Sequence, residues 1–236
     1  PSGTLVADEM GAETAFAEGV AGEGVADRWS VTETDVNEDV VDVLENLPGI
    51  HVSGEFLTVL GWFYAAPLKP FFLEHIGEFP IMSVTGDTGS GKTSTLQVLW
   101  QAFGMDENPF SAGLPPHAQL ACFSSSCSVP VWFDEYRPTS MSGKKVDKFH
   151  DYCRKSTRGG SESKGNPDGS TDTYRIEAPV VVSGEQRFQD PSLLRRSLVT
   201  NFKTDAVDDI ETRRAYSMLA GESYEADDGL RHPDGI

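Results

Sequence analysis

Apolar residues recur along this chain in two rhythms, and the switches between them mark out its elements. Val36, Val40, Val43, Leu44 and Leu47 fall on one helical face ahead of Pro48-Gly49, with Asp35 and Glu38 spaced as a capping box. Ser53 is positioned to cap a second helix bearing Phe56, Leu57, Leu60, Trp62 and Phe63, which Pro67 ends. The rhythm then becomes continuous. Ile81, Met82 and Val84, started by Pro80, read as a buried strand that stops where Gly86 lets the backbone turn. Leu96, Leu99, Trp100 and Phe103 return to i, i+3, i+4, i+7 spacing, which predicts a helix with Gly104 as its left-handed stop. A short helical pattern begins near His117, and Val129–Phe133 reads as a second apolar strand. Val146, Phe149, His150 and Cys153 trace a further helix, while Thr173–Ile176 and Pro179–Val182 read as strands. Residues 161–172 lack apolar positions and are dense in turn formers, which predicts a polar loop.

Strands alternating with helices predict an α/β fold built on a parallel sheet, with a helical segment ahead of it. The expected organisation is a poorly defined segment over 1–34, a packing helical segment over 35–78, a core over 79–203 and an acidic, weakly helical segment over 204–236 that begins a lid. The first of these is rich in Gly, Ala and Glu, and reads as a β-rich edge, a linker or the tail of a missing domain.

Composition narrows this only slightly. With 236 residues, 38% of them hydrophobic, the chain can bury one substantial core. Cys122, Cys127 and Cys153 have neither zinc-site spacing nor an even count, so they read as small buried hydrophobes in a reducing compartment. The most apolar stretch, Phe56–Leu73, is broken by Pro67, Lys69 and Pro70, so a soluble cytoplasmic protein with no membrane partner is expected. The chain begins at Pro1 and stops just past an acidic segment, which reads as a piece of a longer polypeptide. A net charge of −18 argues against a nucleic-acid partner, but residues 144–196 hold 11 of the 19 basic groups against 8 acidic ones. One segment is spared the acid. The excess elsewhere reads either as a salt-adapted surface or as a merely acidic one.

Two stretches carry chemistry. Gly86, Asp87, Thr88, Gly89, Ser90, Gly91, Lys92 and Thr93 fit G-x-x-x-x-G-K-[ST] between the first strand and its helix. In that pattern backbone N–H groups converge on phosphate, Lys92 meets the β- and γ-phosphates, and Thr93 offers its hydroxyl to Mg²⁺. The ligand expected is therefore ATP with Mg²⁺. The strand ending in Asp134-Glu135 is the second signal: Asp134 is expected to hold the metal and Glu135 to activate the attacking water. Ser183 or Glu185, at the end of the third strand, is the candidate γ-phosphate sensor. Arg195 and Arg196 are candidates to neutralise transition-state charge, in their own subunit or a neighbour's. Lys155, Arg158 and Lys164, around the polar loop, are candidates to touch nucleic-acid phosphates, against the plainer reading of a mobile surface loop.

In this order the residues resemble the ATPase core of superfamily 3 helicases and the related primase-associated helicases of viruses and plasmids, within the AAA+ class of P-loop ATPases. The resemblance covers roughly Phe79–Phe202. It rests on Gly86–Thr93, on Val131–Glu135, on the Lys155-Ser156-Thr157-Arg158-Gly159-Gly160 segment and on Leu194-Arg195-Arg196 with Phe202. It implies a homo-oligomeric ring, usually a hexamer, that hydrolyses ATP at its interfaces and moves along single-stranded DNA in the replication of a mobile element or virus, with a primase domain or partner. Ser183-Gly184-Glu185 stands where that family normally has Asn, which looks closer to a primase-associated branch of ATPases. The alternatives are a nucleotide-gated switch or scaffold that does not unwind DNA, and a small-molecule kinase, which the adjacent Asp134-Glu135 pair disfavours.

Overall fold

The computed structural model describes residues 4–6, 13–15, 43, 45–51, 54–105, 108–165, 169–204 and 210–220. Of the helix read from Val36 only the end lies among these, and Leu47–Gly49 is a 3-10 turn; the Ser53 cap lies outside them. Strands β1 (Thr4–Val6) and β2 (Glu13–Ala15) pair antiparallel.

Helix α1 (Gly54–Ala65) does not stop the helical path at Pro67 as its sequence suggests. A 3-10 turn over Ala66–Leu68 takes Pro67 in its first turn and leads straight into α2 (Lys69–His75), which holds Pro70 at its own start. Proline is tolerated there because the first-turn N–H groups have no intrahelical acceptor. By length and composition Gly54–His75 is apolar enough to cross a membrane. Its inner face, however, buries Phe56, Val59, Trp62, Phe63 and Ala66 in the common core, and Trp62 Nε1 donates to the Pro80 carbonyl at 2.8 Å.

The core is a five-stranded parallel sheet. Its members are β3 (Ile81–Gly86), β4 (Phe110–Ser111), β5 (Val131–Asp134), β8 (Val180–Gly184) and β9 (Ser197–Phe202). They lie in the order β4-β5-β8-β3-β9, and all four pairings are parallel. The near-continuous apolar runs of β3, β5 and β8 follow from this, since a parallel sheet is covered on both faces. Helices α3 (Lys92–Gln101), α4 (Pro116–Ser124) and α5 (Gly143–Ser156) supply the cover. Trp100 of α3 packs edge-on against Trp132, while Phe123 of α4 and Phe149 of α5 pack on Phe133. Helix α7 (Ile210–Ala220) packs on the Leu47–Gly49 turn and on α3. Together these elements form the expected α/β architecture, helices packed on a central parallel sheet.

Two expectations are corrected. The polar loop over 161–172 is largely an antiparallel hairpin, β6 (Gly160–Gly165) against β7 (Thr171–Ile176), in register from Gly160↔Ile176 to Gly165↔Thr171. Apolar burial contributes little to it. Glu162 instead anchors it to α5 by accepting from Lys148 Nζ at 2.5 Å and from Lys155 Nζ. Cys122 and Cys153 are buried as expected, but Cys127 is exposed.

Candidate active site

Strand β3 delivers the glycine-rich loop to the carboxyl edge of the sheet, where parallel α/β folds bind ligands. Gly86 is required there because a Cβ would stand 2.3 Å from the Phe202 carbonyl oxygen and 2.7 Å from Ser90 Oγ. Gly91, at φ 76°, is the N-cap of α3 and contributes no side-chain cap, so the first turn keeps its N–H groups for an anion. Lys92 curls back over the loop. Its Nζ donates to the Gly86 carbonyl at 2.8 Å, the Asp87 carbonyl at 2.7 Å and Ser90 Oγ at 3.2 Å. Burial pulls its pKa below the usual lysine value, against the opposing fields of Asp134, Glu185 and Asp87. Asp87, Thr88 and Gly89 are exposed.

The acids come from two strands away. Because β8 lies between β3 and β5, the end of β5 faces the start of α3 across the end of β8. Thr93 Oγ1 donates to Asp134 Oδ2 at 3.0 Å. The other carboxylate oxygen, Oδ1, accepts from Ser183 Oγ at 2.6 Å and from the Glu135 N–H at 2.8 Å. Ser183 Oγ in turn accepts from the buried indole Nε1 of Trp132 at 2.6 Å. Asp134 is thus oriented from behind, with one oxygen turned to Thr93. Glu135 is exposed and has φ 57°, the one non-glycine with positive φ among the described residues. That backbone costs about 1–3 kcal/mol. Two contacts over-determine it: Tyr136 N–H donates to the Ser183 carbonyl at 2.9 Å, and Gly184 has no room for a Cβ, which would meet Tyr136 O at 2.5 Å.

The sequence candidates divide into two groups. Gly86–Thr93, Asp134, Glu135 and Ser183 meet at one edge, but Ser183 is fully buried behind Asp134 and acts on that carboxylate, not toward the loop. The outward group at this strand end is Glu185. Its Oε1 accepts from Thr88 Oγ1 at 2.6 Å and from Arg137 Nη2 at 3.0 Å, and these partners, Thr88 first, hold its carboxyl below the usual range. Arg137 is not marked by any motif; its only signal in the sequence is its place three residues beyond Asp134.

Arg195 and Arg196 are at the opposite edge. They precede β9, and Arg196 O accepts from the N–H of Ile81, the first residue of β3. The six residues of β9 separate them from Phe202 and Gly86, about 20 Å of strand. The expectation that either serves its own subunit's site is therefore corrected. Arg196 also closes its own helix, α6 (Pro191–Leu194), donating to Ser192 O at 2.8 Å and Ser192 Oγ at 2.7 Å, while Arg195 is exposed. The hairpin emerges at this same edge, since Phe79 N–H donates to Thr157 O at 2.9 Å. There Lys155 is bound to Glu162 and Asp151, Arg158 is exposed near Glu78 at 3.7 Å, and Lys164 lies over the Tyr174 ring at 5.6 Å.

Thr93 and Asp134 form a hard-oxygen pair that suits Mg²⁺, which takes one or two carboxylates and completes its shell with water and phosphate oxygens. Among the described residues no cluster of three or more His, Cys, Asp or Glu would hold a metal by itself.

No protein-family model matches the chain, and no curated protein matches it. Among solved structures it is similar to JCV helicase with a bound thiazolopyridinyl-phenoxyphenyl acetamide, at 14% identity and TM-score 0.47, covering 79% of this chain and 50% of that one. A second JCV helicase structure gives 16% identity and TM-score 0.45 over 77% and 48%. The A form apo structure of the NrS-1 C-terminal region gives 11% and 0.40 over 83% and 45%. The chain thus spans about half the length of the solved structures it matches.

Proposed function

We propose that this chain is an ATP-hydrolysing motor unit of the helicase or translocase type, acting on single-stranded DNA. The observation that carries the reading is the 3.0 Å contact between Thr93 and Asp134, made across an intervening strand, beside a loop that folds around Lys92.

In this reading the backbone N–H groups of residues 88–93 and the Lys92 ammonium gather the β- and γ-phosphates, trading the loop's internal acceptors for phosphate oxygens. When bound between Thr93 and Asp134, Mg²⁺ supplies neutralising charge to those phosphates. Asp134 is held in orientation through Ser183 and Trp132. Glu135, exposed and held in its unusual backbone conformation, takes the proton of the attacking water. Arg195, beyond reach of its own subunit's loop, serves the loop of a neighbouring copy in a homo-oligomeric ring. The β6–β7 hairpin, with Arg158 and Lys164, meets the DNA backbone; Lys155, engaged by Glu162 and Asp151, holds the hairpin in place.

Phosphate release from Mg²⁺-ATP, with and without single-stranded DNA, tests this. Release that DNA accelerates, and that Lys92→Ala abolishes, is expected. Hydrolysis indifferent to DNA would favour a nucleotide-gated switch, and no hydrolysis by the wild type would overturn both.

A further inference from the structure

Glu185 and Arg137 remain outside the roles assigned so far, yet both stand at the phosphate loop. One oxygen, Glu185 Oε1, accepts from the loop hydroxyl of Thr88 at 2.6 Å and from the Arg137 guanidinium at 3.0 Å. The guanidinium is therefore one carboxylate oxygen away from the loop's exposed rim. Its backbone is fixed: the adjacent Tyr136 donates to Ser183 O at 2.9 Å, Gly184 is pressed against Tyr136, and Thr139 donates to Gln186 at 3.4 Å further along the same two segments. Its side chain is not, since Arg137 and Glu185 have relative exposures of 53% and 40%. Exposed pairs of this kind are weak and exchange readily. Glu185 meets the guanidinium with a single oxygen, whereas a terminal phosphate, with more negative charge, can offer two to its planar fork.

We propose, on the reading above, that Arg137 is a phosphate-binding residue for the terminal phosphate of the triphosphate, and that Glu185 is the carboxylate it gives up on binding. A terminal phosphate arriving at Thr88 meets the like charge of Glu185. The carboxylate withdraws, and the guanidinium it held turns to the phosphate. Arg137 thereby distinguishes a triphosphate from a diphosphate, in the same chain that holds the loop. Ser183, buried behind Asp134, leaves that task open.

Equilibrium binding of AMP-PNP and of ADP, each with Mg²⁺, tests this on the full chain and three variants. Arg137→Gln is expected to weaken AMP-PNP by about tenfold, the worth of a charge-assisted hydrogen bond, and to leave ADP within about twofold. Glu185→Gln, which keeps the shape and removes the charge, is expected to tighten AMP-PNP by about two- to fivefold. Equal losses of both nucleotides in Arg137→Gln, no loss at all, or weaker AMP-PNP binding in Glu185→Gln would overturn the proposal. Lys92→Ala separates the levels: if it binds both nucleotides as the wild type does, or the wild type binds neither, the nucleotide site itself is refuted and Arg137 with it.

Discussion

Lys69 is 1% exposed, its Nζ donating to the Ala178 carbonyl at 2.6 Å and lying 5.9 Å from the centre of the Phe79 ring. Burial pulls its pKa down to about 7, against the attraction of Glu177. The sign of the consequence is fixed by linkage. Between about 7 and the ordinary lysine value of 10.5 the unfolded chain holds a proton that the folded chain has released, so stability rises with pH. Below that window both states are protonated, so the slope vanishes and the cost of the buried ammonium is fully present. The unfolding free energy of the wild type, minus that of Lys69→Met, is expected to grow by roughly 1 kcal/mol per pH unit from pH 7 to 8.5 in urea titrations. A difference flat with pH would show that the ammonium keeps its proton in the fold. Nothing in the sequence around Lys69 announces this, because its ammonium is received by the carbonyl of Ala178, 109 residues further along the chain. Gly86–Thr93 is legible for the opposite reason: its chemistry is contiguous. Ser183 falls between these cases. Its position at a strand end can be read, but its partners Asp134 and Trp132, 49 and 51 residues away, depend on β8 lying beside β5.

Among the elements, β3, β5, β8 and the helix after the loop are readable because each carries a near-continuous apolar run or a clear 3.6-residue period. Strand β9 is not, since at the sheet's edge Leu198 and Val199 remain partly exposed and only Thr200 and Phe202 are buried. The hairpin reads as a loop because its arms satisfy each other's backbone groups with almost no apolar side chains. Charge secures it instead: hydrogen bonds from Lys148 and Lys155 hold the Glu162 carboxyl below its usual range. That anchoring leaves Arg158 and Lys164, with the exposed Arg175 of β7 beside them, and the first two are the ones proposed for phosphate. Alanine at both is expected to weaken single-stranded DNA binding and to reduce the slope of log affinity against log salt by about 0.7 for each phosphate no longer neutralised. An unchanged slope in a salt titration would remove the hairpin from the DNA path.

Taken as one body, the sheet order β4-β5-β8-β3-β9 separates two groups of candidate residues by edge. The loop, both acids, Arg137 and Glu185 stand where the strands end. The hairpin and Arg195 stand where they begin, so a complete site in the proposed motor needs a second copy. Helix α5 runs between the edges, with His150 bonded to the Tyr136 hydroxyl at 2.7 Å on the side of the acids and Lys148 and Lys155 bonded to Glu162 of the hairpin. All of this depends on Asp134-Glu135 acting on a triphosphate held by Lys92 and Thr93. The most direct test is single-turnover hydrolysis of Mg²⁺-ATP by Glu135→Gln beside the wild type, with ATP binding measured on both. Binding within about threefold of wild type and hydrolysis slowed by about a hundredfold or more are expected, the usual worth of a general base. Hydrolysis at the wild-type rate would contradict the account.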